Sequence, residues 1–288
     1  MLKGGTAINL FYLPMPRLSV DIDLNYVGAL PRETMLAERP RVMVDLEGVF
    51  RAQGYQIEKE EQYAALLYTL RYTNSAGNPD VIRAEVNFLL RVSLYGEEVR
   101  QAVTIDEDLR VHSRILTLEE LFAGKLKALL ERRAPRDLYD TYQLLTAGIP
   151  FDDSRLRVAT LLLLATIPED VRTYTADRLD VITSREIRED LWPALRRNVR
   201  IQQEALVAVV RPIVASLLRW TPEERELFEN VMGGKYRPEL RCQDPLTAAR
   251  IREHPAIRWR LEAIRRHGLE PRSGTRSARR HGISPEAE

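Results

Sequence analysis

Lys3-Gly-Gly-Thr-Ala-Ile-Asn-Leu-Phe11 and, shortly after it, Arg17-Leu-Ser-Val-Asp-Ile-Asp-Leu-Asn25 are the stretches that decide the fold. In a strand, residues two apart share a face, so Asp21 and Asp23 project together while Val20, Ile22 and Leu24 are expected to face the core. Two acids held side by side repel, and a hard divalent cation with oxygen ligands is the usual relief. The Lys3-Gly4-Gly5-Thr6 turn can open a helix through Ala7 to Leu13. The free backbone N–H groups and positive dipole end of such a helix suit phosphates. The pattern reads as a nucleotide plus magnesium, with manganese as the alternative ion.

Composition bounds what surrounds that pair. At 288 residues with 44% hydrophobic content, the chain can build one large or two modest domains. Its 43 basic and 42 acidic residues leave a net charge of +1, so any nucleic-acid partner must be argued from local clusters. One cysteine, Cys242, excludes an intramolecular disulfide, and four scattered histidines make no zinc constellation. A reducing, cytoplasmic setting is the expectation. The longest apolar run, Ala159 to Ile167, falls short of the ~20 residues that span a bilayer, and no signal-peptide pattern opens the chain, so no membrane partner is expected.

The first hundred or so residues alternate strand-like and helical runs; after Thr117 the chain reads as helix after helix. Strands are expected at Ser19–Tyr26, Ala64–Tyr72, Val81–Val92 and, more weakly patterned, Arg100–Ile105, with a helix at Arg32–Gln53 and a turn at Asn74-Ser-Ala-Gly-Asn-Pro79. Thr117 and Glu120 have the spacing of a capping box, and Pro135 suits the first turn of a second helix. Further helices are expected at about 153–166, 169–180, 184–216, 222–233 and 244–265, the long one broken or kinked at Pro193. The expected organisation is a sheet domain over 1–116, a helical domain completing the site over 117–266, and a disordered Arg/Ser-rich tail over 267–288.

Several charged residues stand out against apolar neighbours. Glu85, within Ile82-Arg-Ala-Glu-Val-Asn-Phe-Leu-Leu90, is the natural third carboxylate if its strand pairs beside the aspartates; the bland reading pairs it with Arg83 or Arg91 at an exposed edge. On the helix Leu118–Arg132, positions 118, 121, 122, 125, 128 and 129 share a face, and only Lys125 among them is charged. A lysine there must snorkel or find an anion, whereas Lys127 and Arg132 fall on the solvated side. Asp137 and Asp140 lie one turn apart on the next helix, and Asp137 can pair with Lys125 and aim it. Arg17 and Ser19 flank the acid pair and can contact phosphate or simply end the strand. Basic clusters at Arg185/Arg188, Arg196/Arg197/Arg200, Arg250/Arg252/Arg258/Arg260 and Arg265/Arg266 can track an RNA backbone; interspersed Glu186, Glu189, Asp190, Glu253 and Glu262 favour ordinary salt-bridged faces for each cluster taken singly.

In their order, KGGTAINLF, RLSVDIDL, the Glu85 strand and LTLEELFAGKLKALLERRAPRDLYD resemble the AbiEii/AbiGii-type nucleotidyltransferases, toxins of bacterial abortive-infection toxin–antitoxin systems within the DNA polymerase β-like superfamily. The resemblance covers roughly Lys3 to Tyr142, and Trp220 to Trp259 looks similar to the family's C-terminal helical region. It implies an α+β fold in which a polymerase β-like nucleotidyltransferase mixed sheet with helical cover precedes an α-helical C-terminal domain. By position it makes Lys3, Gly4, Gly5 and Thr6, with Arg17 and Ser19, the nucleotide-binding residues. Asp21, Asp23 and Glu85 become the metal ligands, and Asp21, Asp23, Lys125 and Asp137 the catalytic set, with Arg136 and Asp140 as neighbours. It implies transfer of a nucleotide from an NTP, with pyrophosphate leaving, to the 3′ end of tRNA or another RNA, and a cognate antitoxin as partner. The alternatives are modification of a small molecule or a protein, and a degenerate, non-catalytic interaction module.

Two departures accompany the resemblance. Thr6 stands where the family has serine, which keeps the hydroxyl. Only Met1 and Leu2 precede the glycine turn where the family has a helical segment; the expectation is a start further upstream or a member that lacks that piece. Asp21→Ala, Asp23→Ala and Lys125→Ala are each expected to abolish activity with the fold intact.

Overall fold

The computed structural model describes residues 1–28, 31–103 and 110–267. Its regular elements are α1 (Gly4–Phe11), β1 (Ile22–Asn25), α2 (Arg32–Ala52), β2 (Gln56–Glu61), β3 (Ala65–Thr73), β4 (Pro79–Asn87), β5 (Glu97–Gln101) and β6 (His112–Leu116). They are followed by α3 (Leu118–Arg132), α4 (Pro135–Thr146), α5 (Asp153–Leu164), α6 (Ser184–Glu186), α7 (Gln203–Leu217), α8 (Pro222–Met232), α9 (Pro245–Arg252) and α10 (Pro255–His267). The fold is α+β: a mixed sheet with helical cover, then a helical region.

Four strands pair in the order β1-β4-β3-β2, with β1 parallel to β4 and the other neighbours antiparallel. The period of two along β3 and β4 buries Leu66, Tyr68, Leu70, Ala84 and Val86, which pack with Met35 and Phe50 of α2. The opposite face of β4 carries Arg83, Glu85 and Asn87, and that of β1 carries Asp23 and Asn25. β5 and β6 form an antiparallel ribbon, which Leu2 stitches to the sheet by bridging both Leu24 and Ile115.

A second and larger apolar core joins α1 (Ala7, Ile8, Phe11) to α3, α4, α5, α7 and α8 through Phe122, Leu126, Leu138, Leu156, Leu206 and Phe228. Ile115 of β6 is buried in it as well, so residue 117 marks a change of element type rather than a division between cores. The glycine turn and α1 are thereby held on the helical core while β1 belongs to the sheet. The site lies where the two meet.

Several expectations need correction. The helix after the glycine turn begins at Gly4 and ends at Phe11, and β1 is confined to Ile22–Asn25, leaving Val20 exposed instead of core-facing. β2 escapes a pattern search because QIEKEE offers one apolar residue; it is an exposed edge strand whose charges discourage further pairing. The weak strand begins earlier, at Glu97, and Thr104 and Ile105 lie outside the described residues. The expected helix at 169–180 is two short 3₁₀ turns, Val171–Thr173 and Ala176–Leu179. The one expected at 184–216 breaks after Pro193 and resumes as α7, and that at 244–265 divides between α9 and Pro255. The tail beyond His267 also lies outside the described residues.

The capping box at Thr117 does not form. Glu120 accepts instead from the backbone N–H groups of Leu94 (2.9 Å) and Tyr95 (3.1 Å), tying the segment after β4 to α3, and the buried Thr117 hydroxyl has no partner among the described residues. Among the described residues no single helix is long and apolar enough to cross a membrane.

Candidate active site

β1 and β4 set Asp23 directly beside Glu85 in parallel register. The Lys3 amide donates to the Asp23 carbonyl at 2.8 Å, and its ammonium reaches Glu85 Oε1 at 3.4 Å. Gly4 adopts a left-handed φ of +72°, and a Cβ there would collide with Asp23 Oδ2. Both facts demand glycine: the turn wraps around the carboxylate. Burial pushes the Asp23 carboxyl above the usual range; Lys3 pulls it back and Glu85 pushes it up again.

Asp21 precedes the strand and is exposed. Its carbonyl accepts from Thr6 Oγ1 at 2.5 Å, and that hydroxyl lies 3.2 Å from Ser19 Oγ. Thr6 and Ser19 therefore hold the loop that carries Asp21. Among the described residues no three His, Cys, Asp or Glu side chains are gathered closely enough to hold a metal ion. Asp23 and Glu85 nonetheless fit a hard divalent cation by donor type and by charge: the two adjacent carboxylates share the Lys3 ammonium, and the Asp23 carboxyl stays above its usual range despite it. Such cations are general among nucleotidyltransferases.

Behind the acids lies a buried network of opposite charges. Lys125, 7% exposed, contacts Asp137 at 2.9 Å and Asp140 at 2.8 Å, and both aspartates are fully buried. Arg132 forks onto Asp137 (2.5 and 2.8 Å), and Arg17 onto Asp140 (2.6 Å twice). Burial pulls the Lys125 ammonium down, but Asp140 and Asp137 outweigh it and hold the pKa above its ordinary value. Burial likewise opposes ionisation of both aspartates, yet Lys125 first, then Arg132 for Asp137 and Arg17 for Asp140, keep their carboxyls below the usual range. The charges of Lys125 and Arg132 also reach Asp23, which couples network and site.

The structure thus brings together Lys3, Gly4, Asp23 and Glu85, with Thr6, Ser19 and Asp21 beside them. Lys125 and Asp137 sit behind. Arg17 is 5% exposed and committed to Asp140, so it neither faces a phosphate nor simply ends a strand. A Cβ on Gly5 would stand 2.6 Å from Arg17 Nη2 and 2.9 Å from Ser19 Oγ, so Gly5 makes room for that pair. Arg132, expected on the solvated side, was missed as a partner; the turn between α3 and α4 folds its fork back onto Asp137, which helix periodicity cannot show. Glu85 takes Lys3 rather than Arg83 or Arg91 as its ion-pair partner. Arg136 donates to the Asp190 carbonyl. Arg185, Arg258 and Arg266 pair with the interspersed Glu189, Glu253 and Glu262, whereas Arg252 pairs with Glu239 outside its cluster.

Comparison with known proteins supplies the family. The family model described as nucleotidyl transferase AbiEii toxin, type IV toxin–antitoxin system, matches residues 1–209. Among solved structures, MenT4, a nucleotidyltransferase toxin from Mycobacterium tuberculosis H37Rv, superposes with a TM-score of 0.56 at 19% identity, over 92% of this chain and 84% of that one; at this identity the likeness concerns the fold. No curated protein sequence matches the chain. A nucleotidyltransferase of this kind uses an NTP and has a cognate antitoxin. With a glycine turn closed on one acid, a second acid in register and a match spanning most of its length, the chain belongs to the AbiEii nucleotidyltransferase toxin family of type IV toxin–antitoxin systems.

Proposed function

We propose that this toxin transfers a nucleoside monophosphate from an NTP to the 3′ end of tRNA, with Mg²⁺ held by Asp23 and Glu85 and completed by Asp21. The single observation that carries the site assignment is the Asp23–Glu85 adjacency enclosed by the Gly4 turn. Bound there, Mg²⁺ would neutralise phosphate oxygens and lower the pKa of the attacking hydroxyl. The first turn of α1 presents backbone N–H groups to phosphate oxygens. Lys3 and Arg132, both partly exposed, supply positive charge towards the leaving pyrophosphate. Lys125, enclosed by two aspartates, fixes the network behind Asp23 and acts as a positioning residue.

For the acceptor, the supporting feature is a cleft of about 1140 Å³ beyond the end of β4, lined by Arg32, Arg91, Arg258, Arg265 and Arg266 together with Glu253 and Glu262, which pair with the last three of these arginines, and flanked by the stacked rings of Tyr63 and Trp259, 4.4 Å apart. Guanidinium groups beside an aromatic platform suit a single-stranded end. The NTP substrate and the lone, buried Cys242 favour a cytoplasmic setting. Purified protein incubated with each labelled NTP, Mg²⁺ and total tRNA is expected to label the tRNA. No transfer with any of the four nucleotides would refute the RNA reading, and label that persists after ribonuclease treatment would move the acceptor to a protein or small molecule.

A further inference from the structure

A mainly apolar cavity of about 80 Å³ opens beside the glycine turn, lined by Lys3 and Gly4, by Asn25 of β1, by Leu94, and by Leu121 and Gly124 of α3. By water-sized volume it has room for on the order of six waters. Three observations point to a ligand rather than a flaw in packing.

First, Asn25 is 3% exposed and its Oδ1 has no hydrogen-bond partner among the described residues. A buried amide oxygen left this way is costly unless something donates to it. Second, Asn25 lies two residues beyond Asp23 on the same strand face, about 7 Å along β1, and Gly4, whose turn wraps Asp23, is itself part of the lining. Third, Gly124 sits inside α3, where glycine is a poor helix former, and a Cβ built on it meets nothing within 4 Å. A side chain there would project into open space, and its absence keeps the cavity open.

We infer that this cavity takes the nucleobase of the NTP, flat between apolar walls, with Asn25 Oδ1 accepting a base N–H. This rests on the nucleotidyltransferase reading of the Asp23–Glu85 site and adds where base selection occurs. The phosphates then lie at the glycine turn and the ribose spans the strand face between Asp23 and Asn25.

Calorimetric titration of the full chain, in Mg²⁺, with each of the four NTPs and with inorganic tripolyphosphate provides the test. The wild type is expected to bind at least one NTP more tightly than tripolyphosphate. Gly124→Leu, which fills the cavity, is expected to weaken that NTP about tenfold, the scale of one lost contact, while leaving tripolyphosphate affinity unchanged. Equal NTP affinity in Gly124→Leu and wild type would overturn the inference and leave the phosphate site standing. Failure of the wild type to bind either NTP or tripolyphosphate would overturn the site itself. Independently of any variant, an azido-base triphosphate photolysed on the wild type is expected to label the peptides containing Leu94 or Leu121; labelling confined elsewhere would overturn the inference.

Discussion

Arg17 and Asp140, 123 positions apart in the chain, meet in a buried two-pronged ion pair with Nε–Oδ1 and Nη2–Oδ2 both at 2.6 Å. The pair closes over Gly5 and fastens the glycine turn to α4. Its removal leaves Asp140 buried with Lys125 as its remaining cation, and such breakage costs about 3–5 kcal/mol. Arg17→Ala is expected to lose stability on that scale in urea unfolding. Arg17→Lys should recover only part, because an ammonium cannot reproduce the fork. Unchanged stability with a raised Km for NTP would instead return Arg17 to the nucleotide.

Asp23 illustrates the opposite balance. Its raised carboxyl pKa means that the folded state favours the protonated form. Its contribution to stability is therefore greatest below the ordinary carboxylate range and is lost as pH rises through the raised value. Asp23→Asn is expected to be at least as stable as wild type at pH 7.5 while nucleotide transfer falls on the order of 10²–10³-fold. Thermal melts and transfer assays on the same preparations would show it; a marked drop in melting temperature would contradict the assignment.

Gly4→Ala combines left-handed strain, about 1–2 kcal/mol, with displacement of the Asp23 carboxylate. Gly148 has a similar φ, +67°, with no neighbour within 4 Å of a Cβ, so Gly148→Ala carries the strain alone. Gly4→Ala should lose at least as much stability as Gly148→Ala in chemical denaturation, and only Gly4→Ala should lose transfer activity.

Lys125 cannot be tested by simple truncation. With Asp137 and Asp140 fully buried against it, Lys125→Ala strips the shared cation from two carboxylates, and the expectation of an intact fold does not survive this geometry. We expect a loss of about 3–5 kcal/mol in denaturant unfolding, which would make lost toxicity uninformative about chemistry. A Lys125→Ala protein as stable as wild type would show that the network is not structural.

Glu120 gives a pH signature. Burial raises its carboxyl to about 7 despite the N–H groups of Leu94 and Tyr95. With the folded pKa raised, its contribution is full below the ordinary value near 4.5 and is lost as pH rises towards 7. Glu120→Gln should therefore gain on wild type between pH 5 and pH 8, read as the difference in melting temperature. A constant difference across that interval would rule out the titration.

Much of the site was legible because it is written in short-range pattern. The alternation around Asp23 marks a strand, although Asp21 falls just before its first residue; Glu85 interrupts an apolar run, and Lys125 is the single charge on an apolar helix face. What could not be read depends on how distant segments close on one another. Nothing near Arg17 in sequence announces Asp140, and Arg132 looked solvated because helix periodicity ends where the turn to α4 begins. Asn25 continues the face of Asp21 and Asp23, yet an asparagine carries no signal until burial leaves its amide oxygen alone. In the fold, the parallel β1–β4 pair that gives Glu85 its place was a condition rather than a deduction, and Thr117 matched a cap whose glutamate was claimed by Leu94 and Tyr95.

The long span between Arg17 and Asp140 also bears on when the site can assemble. A chain still on the ribosome exposes its acids early, but Lys125, Arg132 and Asp140 emerge only after the sheet is complete, and contacts so far apart in sequence close late. Until α4 has docked, nothing clamps Gly5 beneath Arg17 or balances the carboxylates. The glycine turn therefore takes its final place only once the helical segment up to Asp140 is available to fold, about halfway along the chain.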